Sequence, residues 1–168
     1  MNREELFDLL SSVQEGRVAV SEALERLVHY PVRDLGCARL DLHRELRSGF
    51  AEVVFAAGKS TEDLLQIVGA LQRDLGRVLI TRLRPEHIVP LKENFPELVL
   101  HPVCAAAHSK IPQNASAQGR IGVVTAGTSD RSVAEEATVC AQYFGLEVTP
   151  INDIGVAGLH RLFQALPE

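Results

Sequence analysis

The chain has 168 residues, 46% of them hydrophobic, and a formal net charge of −5. That is enough apolar material for a core, and the acidic balance argues against a nucleic-acid footprint, which would be basic. No apolar run approaches the ~20 residues that span a bilayer, so no membrane partner is expected.

The N-terminus, Met1-Asn-Arg-Glu-Glu, lacks the apolar core of an export signal, so a cytoplasmic location is expected. Three well-separated cysteines without CxxC spacing suit a reducing compartment. From residue 2 to about 16, Leu6, Leu9, Leu10 and Val13 share one helical face, and Gly16 ends the pattern. Ser21 opens a second helix with Ala23, Leu24, Leu27 and Val28 as its stripe, and Pro31 stops it. Residues 1–31 are therefore expected to form a helical hairpin arm that docks or dimerises.

Residues 32–50 are polar and mixed. Asp41, Arg44 and Arg47 recur every three residues and would share a face on a helix. They form either a solvated ion-pair face or two guanidiniums aimed at phosphate or carboxylate. Strand, helix, strand, helix, strand then follow over 52–55, 61–75, 77–81, 85–94 and 98–103. Helical crossovers of this kind predict a small parallel sheet. Gly58-Lys59-Ser60-Thr61 looks like the end of a phosphate-binding P-loop, but Val53 stands where its first glycine belongs. His101, Cys104 and His108 have metal-like spacing without a recognisable fourth partner, so no metal is assigned to them. Cys104 and Cys140 read as small buried apolar groups. Residues 32–108 make a small α/β domain, and the Pro-, Asn- and Ser-rich stretch 109–119 a linker.

Residues 120–168 carry the strongest signals. Ile121 to Thr125 is a β-branched run expected to be a strand buried on both faces. Gly127 ends it and is expected to permit a tight turn and a close ligand approach. Thr128, Ser129 and Asp130 lead into a helix, for which Ser132 and Glu135 have capping-box spacing. A strand, a Gly-hydroxyl loop and a helix N-terminus together suit an anion. The hydroxyls of Thr128 and Ser129 suit phosphate, and Asp130 a ribose hydroxyl or a cation. A second strand spans 146–151, after which Asp153 opens a Gly-Val-Ala-Gly loop ending in His160-Arg161. Loops after successive parallel strands meet at one crevice. There His160 would shuttle protons, and Arg161 would pair with carboxylate or phosphate. Alternatively, His160 and Arg161 simply begin the last helix.

Gly127-Thr-Ser-Asp130, Ala134-Glu-Glu-Ala137 and Asp153-Ile-Gly-Val-Ala-Gly-Leu-His-Arg161 resemble the LarB family. These are pyridinium-3,5-biscarboxylic acid mononucleotide synthases of nickel-pincer cofactor biosynthesis. More distantly, the same region is similar to the PurE-class aminoimidazole ribonucleotide carboxylases and mutases. Asp41-x-x-Arg44-x-x-Arg47-x-Gly49 and Glu52-Val-Val-Phe-x-x-Gly-Lys59-Ser also resemble LarB and have no PurE counterpart. The resemblance implies an α/β chain: a helical arm, a small βαβαβ unit, then the start of a PurE-like parallel, flavodoxin-like sheet domain at 120–168. It also implies a longer family protein, whose remaining part would hold the nucleophilic cysteine.

The activity implied is carboxylation of the pyridinium ring of nicotinic acid adenine dinucleotide with CO2, then hydrolysis of its phosphoanhydride to release AMP. Gly127, Thr128, Ser129, Asp130 and Arg161 would bind substrate, and Asp153 and His160 would orient the ring or move protons. Mg²⁺ is allowed at the diphosphate, no tightly bound organic cofactor is expected, and a homo-oligomer is expected. A PurE-like mutase and a non-catalytic nucleotide-binding or oligomerising module are the alternatives.

Overall fold

A computed structural model describes residues 3–28, 32–42, 44–109, 119–155 and 158–165. The N-terminal arm consists of α1 (Arg3–Gln14) and α2 (Val20–Val28). Leu9 and Ala23 are buried, while Phe7, Leu10, Val20 and Leu24 face outward. Gly16 ends α1 with φ 74°, in the left-handed region. Pro31 lies outside the described residues.

The segment after the arm differs from expectation. β1 (Val32–Asp34) and β2 (Arg39–Asp41) form an antiparallel pair, followed by the short α3 (Arg44–Ser48). Asp41 therefore sits on a strand, not on a helical face with Arg44. Its backbone N–H donates to Glu52 Oε2 at 2.6 Å. Asp34 favours the turn, because its carboxylate accepts the Gly36 N–H at 2.8 Å. Arg44 is exposed, and the Arg47 side chain lies outside the described set.

The central sheet contains β3 (Val53–Phe55), β4 (Leu79–Thr81), β5 (Val99–His101) and β6 (Ala106–His108), in the order β3-β4-β6-β5. β3 and β4 are parallel, joined through α4 (Thr61–Leu75). Ser60 caps α4 by accepting the Asp63 N–H at 3.1 Å, and Gly76 ends it at φ 67°. α5 (Pro85–Asn94) starts with proline in its first turn, where the missing N–H costs nothing.

The wholly parallel sheet expected from the crossovers is not found. β6 runs antiparallel between β4 and β5. The chain reverses through the tight turn 102–105, with Ala105 at φ 50°, and returns as a strand too short to show in the apolar pattern. One face of the sheet packs on α4, burying Val54, Leu64, Val68, Leu71 and Ile80. His87 is a satisfied core histidine, whose Nδ1 accepts the Arg84 N–H at 3.1 Å.

Residues 110–118 of the expected linker lie outside the described residues. β7 (Gly119–Val124) and β8 (Leu146–Ile151) are parallel, joined through α6 (Arg131–Tyr143). Gly145 closes α6 at φ 81°. β7 is not buried on both faces: Ile121 and Val124 are exposed. The reason is that α6 is the helix joining this two-stranded sheet, and among the described residues nothing buries those two side chains.

α6 also packs on the central sheet. Val139 and Tyr143 pack with Leu79, Cys104 and Ala106, on the face away from α4. Arg82 pairs with Glu136 at 2.8 Å, and Phe50 meets Phe144 edge-on with centroids 5.1 Å apart. The last element is α7 (Leu159–Ala165). Among the described residues, no helix is long and apolar enough to cross a membrane.

Candidate functional site

β7 and β8 end level, with Val124 opposite Ile151, so the loops that follow them leave the sheet together. Backbone bonds continue past the strands. Thr125 N–H donates to the Ile151 carbonyl at 2.9 Å, Ile154 N–H to Thr125 at 2.9 Å, and Gly155 N–H to Ala126 at 3.1 Å. The two loops are therefore zipped side by side for their first few residues. The crevice expected from strand order brings Gly127, Asp130, Asp153 and Arg161 to one end of the sheet.

Thr125 holds the second loop in place. Its side chain is only 5% exposed, and Oγ1 accepts the Asp153 N–H at 3.2 Å while donating to Asn152 Oδ1 at 3.3 Å. Asp153 adopts φ 60°, a left-handed conformation that Asp tolerates better than most residues. Arg161 Nη1 then donates both to the Asp153 carboxylate, at 2.7 Å, and to its carbonyl, at 3.0 Å. The expected partnership of Arg161 with a carboxylate is thus internal. It ties the start of α7 to the start of the loop.

The glycines divide by cause. A Cβ on Gly155 would lie 2.8 Å from the Ala126 carbonyl oxygen, and one on Gly158 would lie 2.7 Å from Arg161 Nε. Gly155 excludes a side chain because the obstacle is backbone, whereas at Gly158 it is the Arg161 side chain, which would have to move. Gly127 is different. Its φ of −162° is extended backbone, and a Cβ there would meet nothing within 4 Å. The tight turn begins at Gly127, whose carbonyl accepts the Asp130 N–H at 3.1 Å, but it does not use glycine's conformational freedom, and the space beside Gly127 is open.

Asp130 closes the first loop. Its Oδ2 accepts the N–H groups of Ala126 at 3.0 Å and Gly127 at 3.1 Å. Asp130 therefore caps the loop, and Oδ1 has no protein partner among the described residues. Thr128 and Ser129 are exposed on a single 3-10 turn, Thr128–Asp130, which runs straight into α6. Ser132 falls inside α6, so the expected capping box with Glu135 does not mark the helix start. His160 is exposed near the start of α7. Val156 and Ala157, the tip of the Gly-Val-Ala-Gly loop, lie outside the described residues.

None of the three cysteines is activated. Cys37 is exposed, and local desolvation, then the nearby Asp63 carboxylate, raises its thiol pKa. Burial, then Glu135, raises Cys104, and burial, then Glu136, raises Cys140. A reactive thiolate needs the opposite surroundings. His101 and His108 stack with centroids 5.0 Å apart, and His108 Nδ1 lies 2.7 Å from the Ser109 carbonyl. Among the described residues, no three His, Cys, Asp or Glu side chains are grouped to hold a metal.

Sequence reasoning overlooked Thr125 and Asn152. The available signal was a hydroxyl closing an otherwise apolar strand, where a side-chain oxygen can take up a loop N–H.

Comparison with known proteins adds the family. Residues 32–110 match the pattern described as the LarB/PurE-like N-terminal domain. The chain belongs to the LarB/PurE-like family. An uncharacterized protein of Methanocaldococcus jannaschii is 31% identical over 170 residues, covering 96% of this chain and 66% of that relative. The chain thus spans about two thirds of that relative's length. The LarB/PurE-like family is carboxylase-related. Its N-terminal domain takes in the β1–β2 hairpin, α3 and the central sheet, whereas the zipped loops lie after it.

Proposed function

We propose that this chain carries the nucleotide-handling part of an enzyme that carboxylates the pyridinium ring of nicotinic acid adenine dinucleotide and cleaves its phosphoanhydride, in nickel-pincer cofactor biosynthesis. The observation supporting this reading is the pair of zipped loops beside an open Gly127, in a chain of the LarB/PurE-like family. In this reading the extended backbone at Gly127 and the hydroxyls of Thr128 and Ser129 face the phosphates, and Asp130 Oδ1 takes a ribose hydroxyl. Arg161, held by Asp153, supplies positive charge beside the diphosphate.

The chemistry follows from the ring. A thiolate adds to the electron-poor pyridinium, and the dearomatised ring becomes a carbon nucleophile that attacks CO2. Loss of the proton at that carbon, then expulsion of the thiolate, restores aromaticity, and in this reading His160 takes the proton. Water then cleaves the phosphoanhydride and AMP leaves. The raised thiols of Cys37, Cys104 and Cys140 do not suit the first step, so the attacking cysteine is expected from outside these 168 residues.

Calorimetry and mass spectrometry test the reading together. The chain is expected to bind the dinucleotide saturably, and Arg161→Gln to weaken binding about tenfold or more, as loss of a charge-assisted hydrogen bond does. With bicarbonate and Mg²⁺ added, no biscarboxylated mononucleotide should form. Absence of binding would overturn the nucleotide reading. Product at turnover level would overturn the assignment of the thiol.

A further inference from the structure

Arg84, Ile88 and Lys92 fall four residues apart, so they line one stripe of α5 and its N-cap. That stripe does not close against the sheet. It faces the β5–β6 turn across a pocket of about 370 Å³. Ile88 on the helix side and Leu100, Pro102 and Ala105 on the turn side supply apolar wall. Arg84 and Lys92 mark the two ends of the stripe. Arg84 is engaged by Glu86 at 3.2 Å and by the Lys59 carbonyl at 2.7 Å, whereas Lys92 has no ion-pair partner among the described residues. His101, also in the wall, has its pKa lowered by burial and then by His108, so it adds no positive charge at neutral pH.

The backbone around the pocket is unusual. Ala105 at φ 50° and Arg82 at φ 56° are both left-handed non-glycine residues, and they bracket the Leu83 N–H bond to the Ala105 carbonyl at 2.7 Å. Such conformations are strained in residues with a Cβ and tend to collect at binding sites. Size, apolar wall and a lysine at one end match a small-ligand site.

We propose that this pocket binds a small apolar carboxylate, its ring or branched body against Ile88, Leu100, Pro102 and Ala105 and its anionic group toward Lys92. The site is built within the N-terminal domain and is separate from the zipped loops, so it stands or falls independently of the proposed reaction.

Titration of the whole chain with benzoate and with its neutral isostere benzamide, followed by amide NMR, tests it. Benzoate is expected to move the amides of Ala105 and Leu83 saturably and to bind more tightly than benzamide. Lys92→Gln, on an exposed side chain, should weaken benzoate roughly threefold to tenfold, between an exposed ion pair and a buried charge-assisted bond. It should leave benzamide unchanged, and Lys92→Arg should restore benzoate binding. The proposal is overturned by shifts that do not saturate or fall elsewhere, by equal affinity for the two probes, or by benzoate binding indifferent to Lys92→Gln.

Discussion

Replacing Gly155 by alanine tests whether the two loops depend on their close approach. The added Cβ would lie 2.8 Å from the Ala126 carbonyl oxygen. Even a close carbon–oxygen contact needs about 3.3 Å, so the loops must part by roughly half an ångström. That oxygen accepts the Gly155 N–H at 3.1 Å, so the same movement stretches the bond that zips the loops. Overpacking costs about 1–3 kcal/mol, and a weakened backbone bond adds up to about 1 kcal/mol. The expected loss is therefore about 1–4 kcal/mol. Gly122→Ala is the control, because a Cβ there would meet Thr149 O at 3.9 Å, an ordinary contact. With no clash, it should be neutral or stabilising by up to about 1 kcal/mol. Urea unfolding of the whole chain should show a lower midpoint at unchanged slope for Gly155→Ala only. Equal midpoints for Gly155→Ala and the unaltered chain, or equal losses for both variants, would refute the steric argument.

Three further outcomes are expected. Thr125→Val keeps the side-chain shape but leaves the Asp153 N–H without its acceptor, so urea unfolding should show a loss of about 1–3 kcal/mol that Thr125→Ser largely avoids. Asp130→Ala removes the acceptor of two loop N–H groups and should cost about 1–2 kcal/mol by the same assay, with Asp130→Asn in between; no loss would discount the capping role. Stability should also fall in mild acid. His101 has a folded pKa below its ordinary 6.5 because burial and His108 disfavour its charged form. The unfolded chain therefore takes up the proton first. Its contribution is complete above pH 6.5, declines as the pH falls below that value, and is gone once the pH has passed the lower folded value. Denaturation midpoints measured across this window should lose that slope in His101→Phe.

Much of the fold was legible because its signals are local. Proline in the first turn of α5, serine before α4 and glycine after it each act through a neighbouring backbone group, and those helices lie where the sequence put them. β6 was not legible: Ala106-Ala107-His108 shows no alternation and is a strand only because β4 and β5 offer edges on either side. Asp41 illustrates the limit of spacing. Three-residue intervals suggest a helical face only if a helix forms, and here a hairpin takes the first of the three residues. At the candidate site, strand order and the second Gly-rich loop were enough to bring Asp153, Arg161 and Asp130 together. The use of Asp130 as a loop closure and of Arg161 as a tie to Asp153 depends on distances across chain segments, which no local pattern encodes.

Because α6 lies against the central sheet as well as joining β7 to β8, Cys104 doubles as a reporter. Its thiol is 4% exposed, in the cluster that includes Val139 and Tyr143. Lifting α6 would uncover it, break the Arg82–Glu136 pair and pull on the 125–130 loop that leads into the helix. The labelling rate of Cys104 would thus clock how often α6 and the 125–130 loop come loose from the N-terminal domain. A ligand that steadies that loop would slow a chemical reaction on the far side of the helix.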